Sequence, residues 1–492
     1  LYDSLGNYEK SRDYHLESLR IREALPEKNA LKKTISTIAV GMSHFTLCDF
    51  ESSKAFFEQA YTASRENFGT YHPIVAKALK HEAMLYRTLA NYHLAEELYK
   101  RALDIELEFY PYDHPEIART FKGLGQVYFS LFENEKSMEY MVKALEIRCK
   151  IFGECHHEVA SVLSSIGSLY NAKGETNKAL EYQNRALKIY ESISPSSPDV
   201  ANVLQIIGDE YATLGEYEKS LELTEKAMEM RRKFFGEMHR DSADSYHSYC
   251  LILEDLGKYD KALEYAKKGP EIRKKLFSEN HPLVSFLLKT IGNIYSSLGQ
   301  YDLALEYLQK SYDIKVKVYG DNHPSLSSSL ISLGNVMDSL GDRNKALIFH
   351  QKALELKIQI YGNEHPDIAT CYNNIGAVYQ AMGQYAKGLE NHQKSLKIKE
   401  KFFGPDHPDV SRSYYNIANA YESLNQPEKA LQYYKAALQI RKKVFGKEHP
   451  SLGDSYLGIG LSYDSLQDRE KARKYLEKAL GIFLKNYGLE HP

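Results

Sequence analysis

The side chains best suited to proton transfer or metal ligation in this chain are its histidines, and ten of the 18 share one spacing. His72, His114, His281, His323, His365, His407, His449 and His491 are each followed by proline, while His156 and His239 hold the same place without it. Imidazole can act as base, acid or ligand near neutral pH, but either role needs a second group within reach. Residues one repeat apart are separated by stacked helices, each about 10 Å thick, so the row does not converge. It reads instead as a structural row in which each histidine caps the following helix. Cys155-His156-His157 resembles a metal cluster on paper, yet no second ligand pair stands at a useful distance. No glycine-rich phosphate loop follows a strand pattern, and no serine, cysteine or aspartate sits in a nucleophile elbow. The reading is of no enzyme, no catalytic residue, no cofactor and no metal. Lys397–Lys401 and similar stretches read as solvated helix faces.

What positions the histidines is a repeat. Successive markers lie 42 residues apart, except for one 41-residue step into Ser197-Pro198. The chain divides into a half-unit at 1–29, the second helix of a truncated repeat, and a continuous array at 30–492. The eleven units open near 30, 72, 114, 156, 197, 239, 281, 323, 365, 407 and 449. The start in mid-helix and the close on His491-Pro492 read as a stretch of a longer protein.

Each unit reads as two helices. After His365-Pro366, apolar and small residues at Ile368, Cys371, Tyr372, Ile375, Gly376 and Tyr379 follow helical spacing. Gly383 stops that helix, a second stripe runs through Tyr385, Leu389, Leu396 and Ile398, and Gly404 ends it. Pro408 then stands where a first turn tolerates proline. One site of the first helix is always small: Gly41, Ala83, Gly125, Gly167, Gly208, Cys250, Gly292, Gly334, Gly376, Ala418 and Gly460. Glycine inside a helix costs roughly 1 kcal/mol against alanine, so a large group, expected to be a ring, should pack there. Gly269-Pro270 predicts a kinked or shortened second helix, and Ser194–Asp241 the most irregular zone.

The pattern Leu/Ile-Gly-x-x-Tyr, followed by alanines such as Ala304, Ala346, Ala430 and Ala472 and then Ala353, Ala437 and Ala479, resembles the tetratricopeptide repeat. With its 42-residue period and G-x-x-H-P linkers it is similar to the repeat region of kinesin light chain and nephrocystin-type proteins. The tryptophan common in such repeats is absent, and Tyr372, Tyr414 and Tyr456 stand in its place. The resemblance implies an all-α, right-handed superhelical solenoid of antiparallel helix pairs, with the first helices lining the concave face.

Net charge of −3 gives no overall attraction to nucleic acid or an anionic membrane, and no apolar run approaches the roughly 20 residues of a membrane span. Five scattered cysteines fit a reduced, cytoplasmic setting. The function expected is a scaffold or adaptor for protein or peptide partners, acidic ones included. The rival is the sensor or docking arm of a larger enzyme or switch. On the first helices, Lys77, Lys80, Met84 and Arg87 share one face, and Arg119, Lys122, Gln126 and Phe129 repeat it in the next unit, presenting five cations to an acidic peptide. Farther along, Asn293, Asn335, Asn373 and Asn419, flanked by Lys289, Arg412 and Tyr415, offer amides for an extended backbone.

Overall fold

The computed structural model describes residues 7–24, 30–237, 239–277 and 279–487. These form 23 helices and, among the described residues, no strand. Helix α1 (Tyr8–Glu23) precedes eleven helix pairs, from α2 (Ala30–Thr46) with α3 (Phe50–Phe68) to α22 (Pro450–Ser465) with α23 (Arg469–Tyr487). Residues 1–6, where the sequence reads as starting in mid-helix, and the His491-Pro492 step lie outside the described residues.

The linker motif works as a unit. Gly404 takes φ +77° and its N–H bonds Glu400 O at 3.0 Å, closing the second helix. Three residues later His407 Nδ1 accepts the N–H of Asp409 at 3.1 Å, while its ring stacks on Phe403 at 4.2 Å. The same ring-on-histidine stack recurs from Phe68–His72 to Phe445–His449. Each imidazole therefore caps its helix by accepting at Nδ1, which leaves the ring N–H at Nε2. In the 41-residue step, Ser197 replaces the histidine and its hydroxyl accepts the N–H of Val200 at 3.4 Å, so the missing residue is absorbed in the loop between helices Thr176–Ile193 and Pro198–Thr213.

The small column does lie at the contact between the two helices of a unit. A Cβ on Gly292 would fall 2.7 Å from Leu308 Cγ, and one on Gly376 2.8 Å from His392 Cε1. The expectation of a ring holds only in part: Phe57, His350 and His392 face the column, but so do Met141, Gln183, Thr224, Leu308 and Leu476. The partner is the residue sixteen places on, whose type varies. The tyrosines beside the column pair elsewhere, Tyr128 with Tyr140 at 5.4 Å and Tyr421 with Tyr433 at 5.5 Å. At Gly269-Pro270 the helix continues: α13 (Tyr259–Leu276) runs through Pro270 and is 18 residues long, against 19 for most second helices. Glycine stands there because Leu287 Cδ1 lies 2.8 Å from where its Cβ would be.

First helices of successive units also pack on each other, α2 on α4 (Pro73–Thr88) and α4 on α6 (Pro115–Ser130), whereas no second helix packs comparably on the next second helix. The stack therefore curves with the first helices inside. After 235 residues, a little under six units, the curve meets itself. His281 and His323 lie with Nε2 3.4 Å from the carbonyl oxygens of Thr46 and Thr88, and His449 lies 3.2 Å from that of Thr213 after 236 residues, the one-residue difference being the short step. Rings line the same seam: Tyr8 on Phe277 at 4.9 Å, Phe50 on Tyr319 at 5.6 Å, Tyr92 on Tyr361 at 5.9 Å and Phe132 against His365 at 4.7 Å. Each contact joins a corner between the two helices of one unit to a linker of the next superhelical turn.

Candidate interaction face

The inner face is built from the columns read off the first helices, and its charge differs from the expected pattern. Lys80 is buried, with Nζ 2.6 Å from Glu106 Oε1 and 2.6 Å from Glu116 Oε2, and Thr120 donates to the other Glu106 oxygen at 2.6 Å. Arg119 pairs with Glu116 at 2.6 Å. Lys122 donates to Ser161 Oγ at 2.7 Å, and burial with the nearby Arg148 pushes its ammonium down to about 8. Lys77 is half-buried, and Arg87 has a buried Nε without a hydrogen-bond partner. The expected cations are thus neighbours, but the carboxylates of α5 (Tyr92–Phe109) and α6 neutralise the central ones.

The asparagine row divides. Asn373 Oδ1 lies 3.0 Å from His392 Nδ1 and accepts from Asn416 Nδ2 at 2.6 Å, and Asn419 accepts the hydroxyl of Tyr434. Tyr415 packs on Tyr434 at 5.4 Å beneath Arg441, and Arg412 pairs with Asp409 at 3.4 Å. These groups belong to internal networks. Asn293 and Asn335 carry amides without a hydrogen bond among the described residues, on α14 (Pro282–Ser297) and α16 (Ser325–Ser339).

A further column escaped the sequence reading. Arg148, Arg273, Lys315, Lys357, Lys399 and Arg441 are buried on second helices, and each reaches a backbone carbonyl ten residues on: Glu158 at 3.0 Å, Leu283, Ser325 at 3.1 Å, Asp367 at 3.3 Å, Asp409 at 3.5 Å and Ser451 at 2.5 Å. Each cation ties its second helix to the first turn of the next unit. Within Lys397–Lys401, the outer lysines are exposed but Lys399 is buried, which corrects the reading of a wholly solvated face. The recurrence of a basic residue at this period was the available signal.

Where two of these columns meet, a cavity of about 630 Å³ opens among α12 (Arg240–Asp255), α13, α14, the helix Tyr301–Tyr319 and α16. Its lining includes Phe286, Tyr319, Ser328, Arg273, Lys289 and Lys315. Arg273 is paired with Asp244, but neither Lys289 nor Lys315 has a carboxylate partner among the described residues. Lys315 is only 6% exposed and holds Ser325 O, Ser328 Oγ and Ser329 Oγ at 2.9–3.1 Å. Burial first, then Lys289, pushes its ammonium down to about 7, and burial lowers Lys289 as well. Two cations held short of a counter-ion favour an incoming anion, and Asn293 and Asn335 continue the wall. Around Cys155, His156 and His157 no group of three ligating side chains is gathered among the described residues: His156 caps its helix from Nδ1, its ring lies 4.3 Å from that of His157, and Cys155 is exposed.

A curved stack of antiparallel helix pairs with its first helices inside is a repeat solenoid. The chain belongs to the tetratricopeptide repeat family, whose model matches residues 34–108, 75–150, 151–233, 241–315, 287–359, 340–386, 367–443 and 426–485. Such arrays are interaction scaffolds that typically carry no catalysis themselves. Solved structures similar to it include a Rap protein complexed with Competence and Sporulation Factor, with a TM-score of 0.52 and 15% identity over 75% of this chain and 98% of that one. BtubC (BKLC) from P. vanneervenii is 18% identical, with a TM-score of 0.38 over 49% of this chain and 93% of that one. A putative kinesin light chain with nearly identical repeats from Podosopora anserina is 25% identical, with a TM-score of 0.35 over 42% of this chain and 97% of that one. No curated protein matches the chain. No described helix is long and apolar enough to cross a membrane.

Proposed function

We propose that the protein is a scaffold whose inner face grips an extended segment of a partner protein, an acidic side chain of that segment seating between Lys289 and Lys315. The carrying observation is the cavity, walled by Phe286 and Tyr319, in which Asp244 is paired with Arg273 while Lys289 and Lys315 have no carboxylate partner among the described residues. The aromatic walls accept apolar neighbours of the acid, and Asn293 and Asn335 offer both donors and acceptors to its backbone. The patch around Lys80 is a weaker seat, since Glu106 and Glu116 already occupy its centre. Selection of peptides from a random displayed library tests the reading. The chain should enrich sequences with Asp or Glu at a fixed position, and Lys289→Glu should abolish that enrichment. Identical selections by both proteins would remove the site.

A further inference from the structure

We infer that a small, neutral, flat aromatic molecule carrying an N–H or O–H donor binds in the seam between the two superhelical turns, between Asn134 and Phe403. The site follows from a gap in the seam's own ladder of rings. Tyr8 with Phe277, Phe50 with Tyr319 and Tyr92 with Tyr361 are rungs of ring on ring, each joining residues 269 apart. The same offset sets Asn134 opposite Phe403 and Thr176 opposite Phe445, so at these rungs the second turn keeps its ring and the first turn lacks one. There the seam opens into two cavities, one of about 680 Å³ bordered by Asn134 and Phe403, the other of about 530 Å³ bordered by Thr176 and Phe445. Both cavities lie between closed stretches of the seam, with Tyr92 on Tyr361 before them and His449 against Thr213 after.

The chemistry of the larger cavity selects the ligand. Phe132, Phe402 and Phe403 give it aromatic walls, and Phe403 is held in place by its stack on His407 at 4.2 Å. Asn134 Oδ1 is buried there without a hydrogen-bond partner, an acceptor that a donor on the ligand would satisfy. Thr176, by contrast, already donates to Asn171 Oδ1 at 3.4 Å, which singles out the Asn134 rung. The rim sets three lysines against three glutamates, Lys136 pairing with Glu133 at 2.6 Å, so the cavity favours neither an anion nor a cation. Its volume suits one or two fused rings. A ring seated against Phe403 completes the ladder and fastens the first turn to the second, at a place separate from the Lys289–Lys315 cavity.

Indole is the probe: it is neutral, has two fused rings and one N–H, and the chain has no tryptophan to mask its emission. Titrated with the 492-residue chain, indole fluorescence should move to the blue and saturate at one indole per chain. Asn134→Tyr supplies the ring that Tyr92 carries one rung earlier, and should abolish the saturable shift while raising the unfolding temperature. Asn134→Leu keeps the room but removes the acceptor, and should weaken indole binding about tenfold. A wild-type chain that gives no saturable shift overturns the proposal, and so does an Asn134→Tyr chain that binds indole as the wild type does. If far-ultraviolet circular dichroism shows Asn134→Tyr unfolded, Asn134→Leu decides alone, and an unchanged affinity in that variant removes the site.

Discussion

The phenol oxygens of Tyr92 and Tyr361 lie 3.4 Å apart and their rings stack at 5.9 Å, although 269 residues separate them. A solenoid whose units touched only their neighbours would never bring them together. Here long-range contacts add a second cooperative interface to the nearest-neighbour stack.

Tyr361→Ala should weaken that interface by about 1–2 kcal/mol, the ring pair contributing beyond its buried area. Helicity should barely change, while amide exchange at the corner around Ala90 and Asn91 quickens and small-angle scattering reports a longer particle. Unaltered exchange there would show that the rings do not hold the turns together.

Acid should loosen the same seam. His281, His323 and His449 accept at Nδ1 and face a carbonyl at Nε2, which only the neutral ring can do, and burial pushes each down to about 4. With the folded value below the ordinary 6.5, the unfolded chain binds more protons, so stability is lost as pH falls from about 6.5 to about 4 and levels below. His323→Asn keeps an acceptor at the cap and should flatten the dependence by up to about one proton in urea titrations between pH 7 and 5.

Two glycines in helices should respond oppositely. Gly292→Ala forces a methyl to 2.7 Å from Leu308 Cγ and should cost about 1–3 kcal/mol. Gly481→Ala, where a Cβ meets nothing within 4 Å, should gain about 1 kcal/mol from helix propensity. Thermal unfolding of both variants gives the comparison.

Lys80→Met should destabilise by about 3–5 kcal/mol because it strands the buried Glu106 carboxylate. Adding Glu106→Met should recover most of that loss. If the single change is harmless while acidic-peptide binding disappears, Lys80 is a ligand contact rather than an internal ion pair.

Binding at the Lys289–Lys315 cavity should carry a pH signature. An anion favours charged lysine, and Lys315 is held near about 7, so affinity for an acidic peptide should fall as pH rises from about 6 to 8. Calorimetry in buffers of different ionisation heat should record proton uptake on binding near neutral pH.

Fold was legible because the small column, the linker glycines and the His-Pro steps each answer to a local requirement: close helix approach, positive φ and capping. At Gly269-Pro270 a proline's local cost says nothing of packing, and it is Leu287 that requires a residue without a side chain at that point of the continuing helix. The site was legible by face but not by charge. Lys80 shares a face with Lys77 in any helix, but its pairing with Glu106 depends on how a second helix meets the next unit. Lys289 stood out within its column, whereas Lys315 lay on the helix presumed outward and becomes inward-reaching only through its carbonyl ten residues on. The seam has no signature within one unit, since it follows from the accumulated rotation of nearly six.

Because His281, His323 and His449 each meet the carbonyl at the same corner position of the earlier turn, the contact between turns follows the repeat rather than one particular pair of units. A gene of this kind can drop or duplicate a whole 42-residue block, and the coil re-zips with each module shifted one partner along. Length can therefore drift in such a protein while its pitch stays fixed.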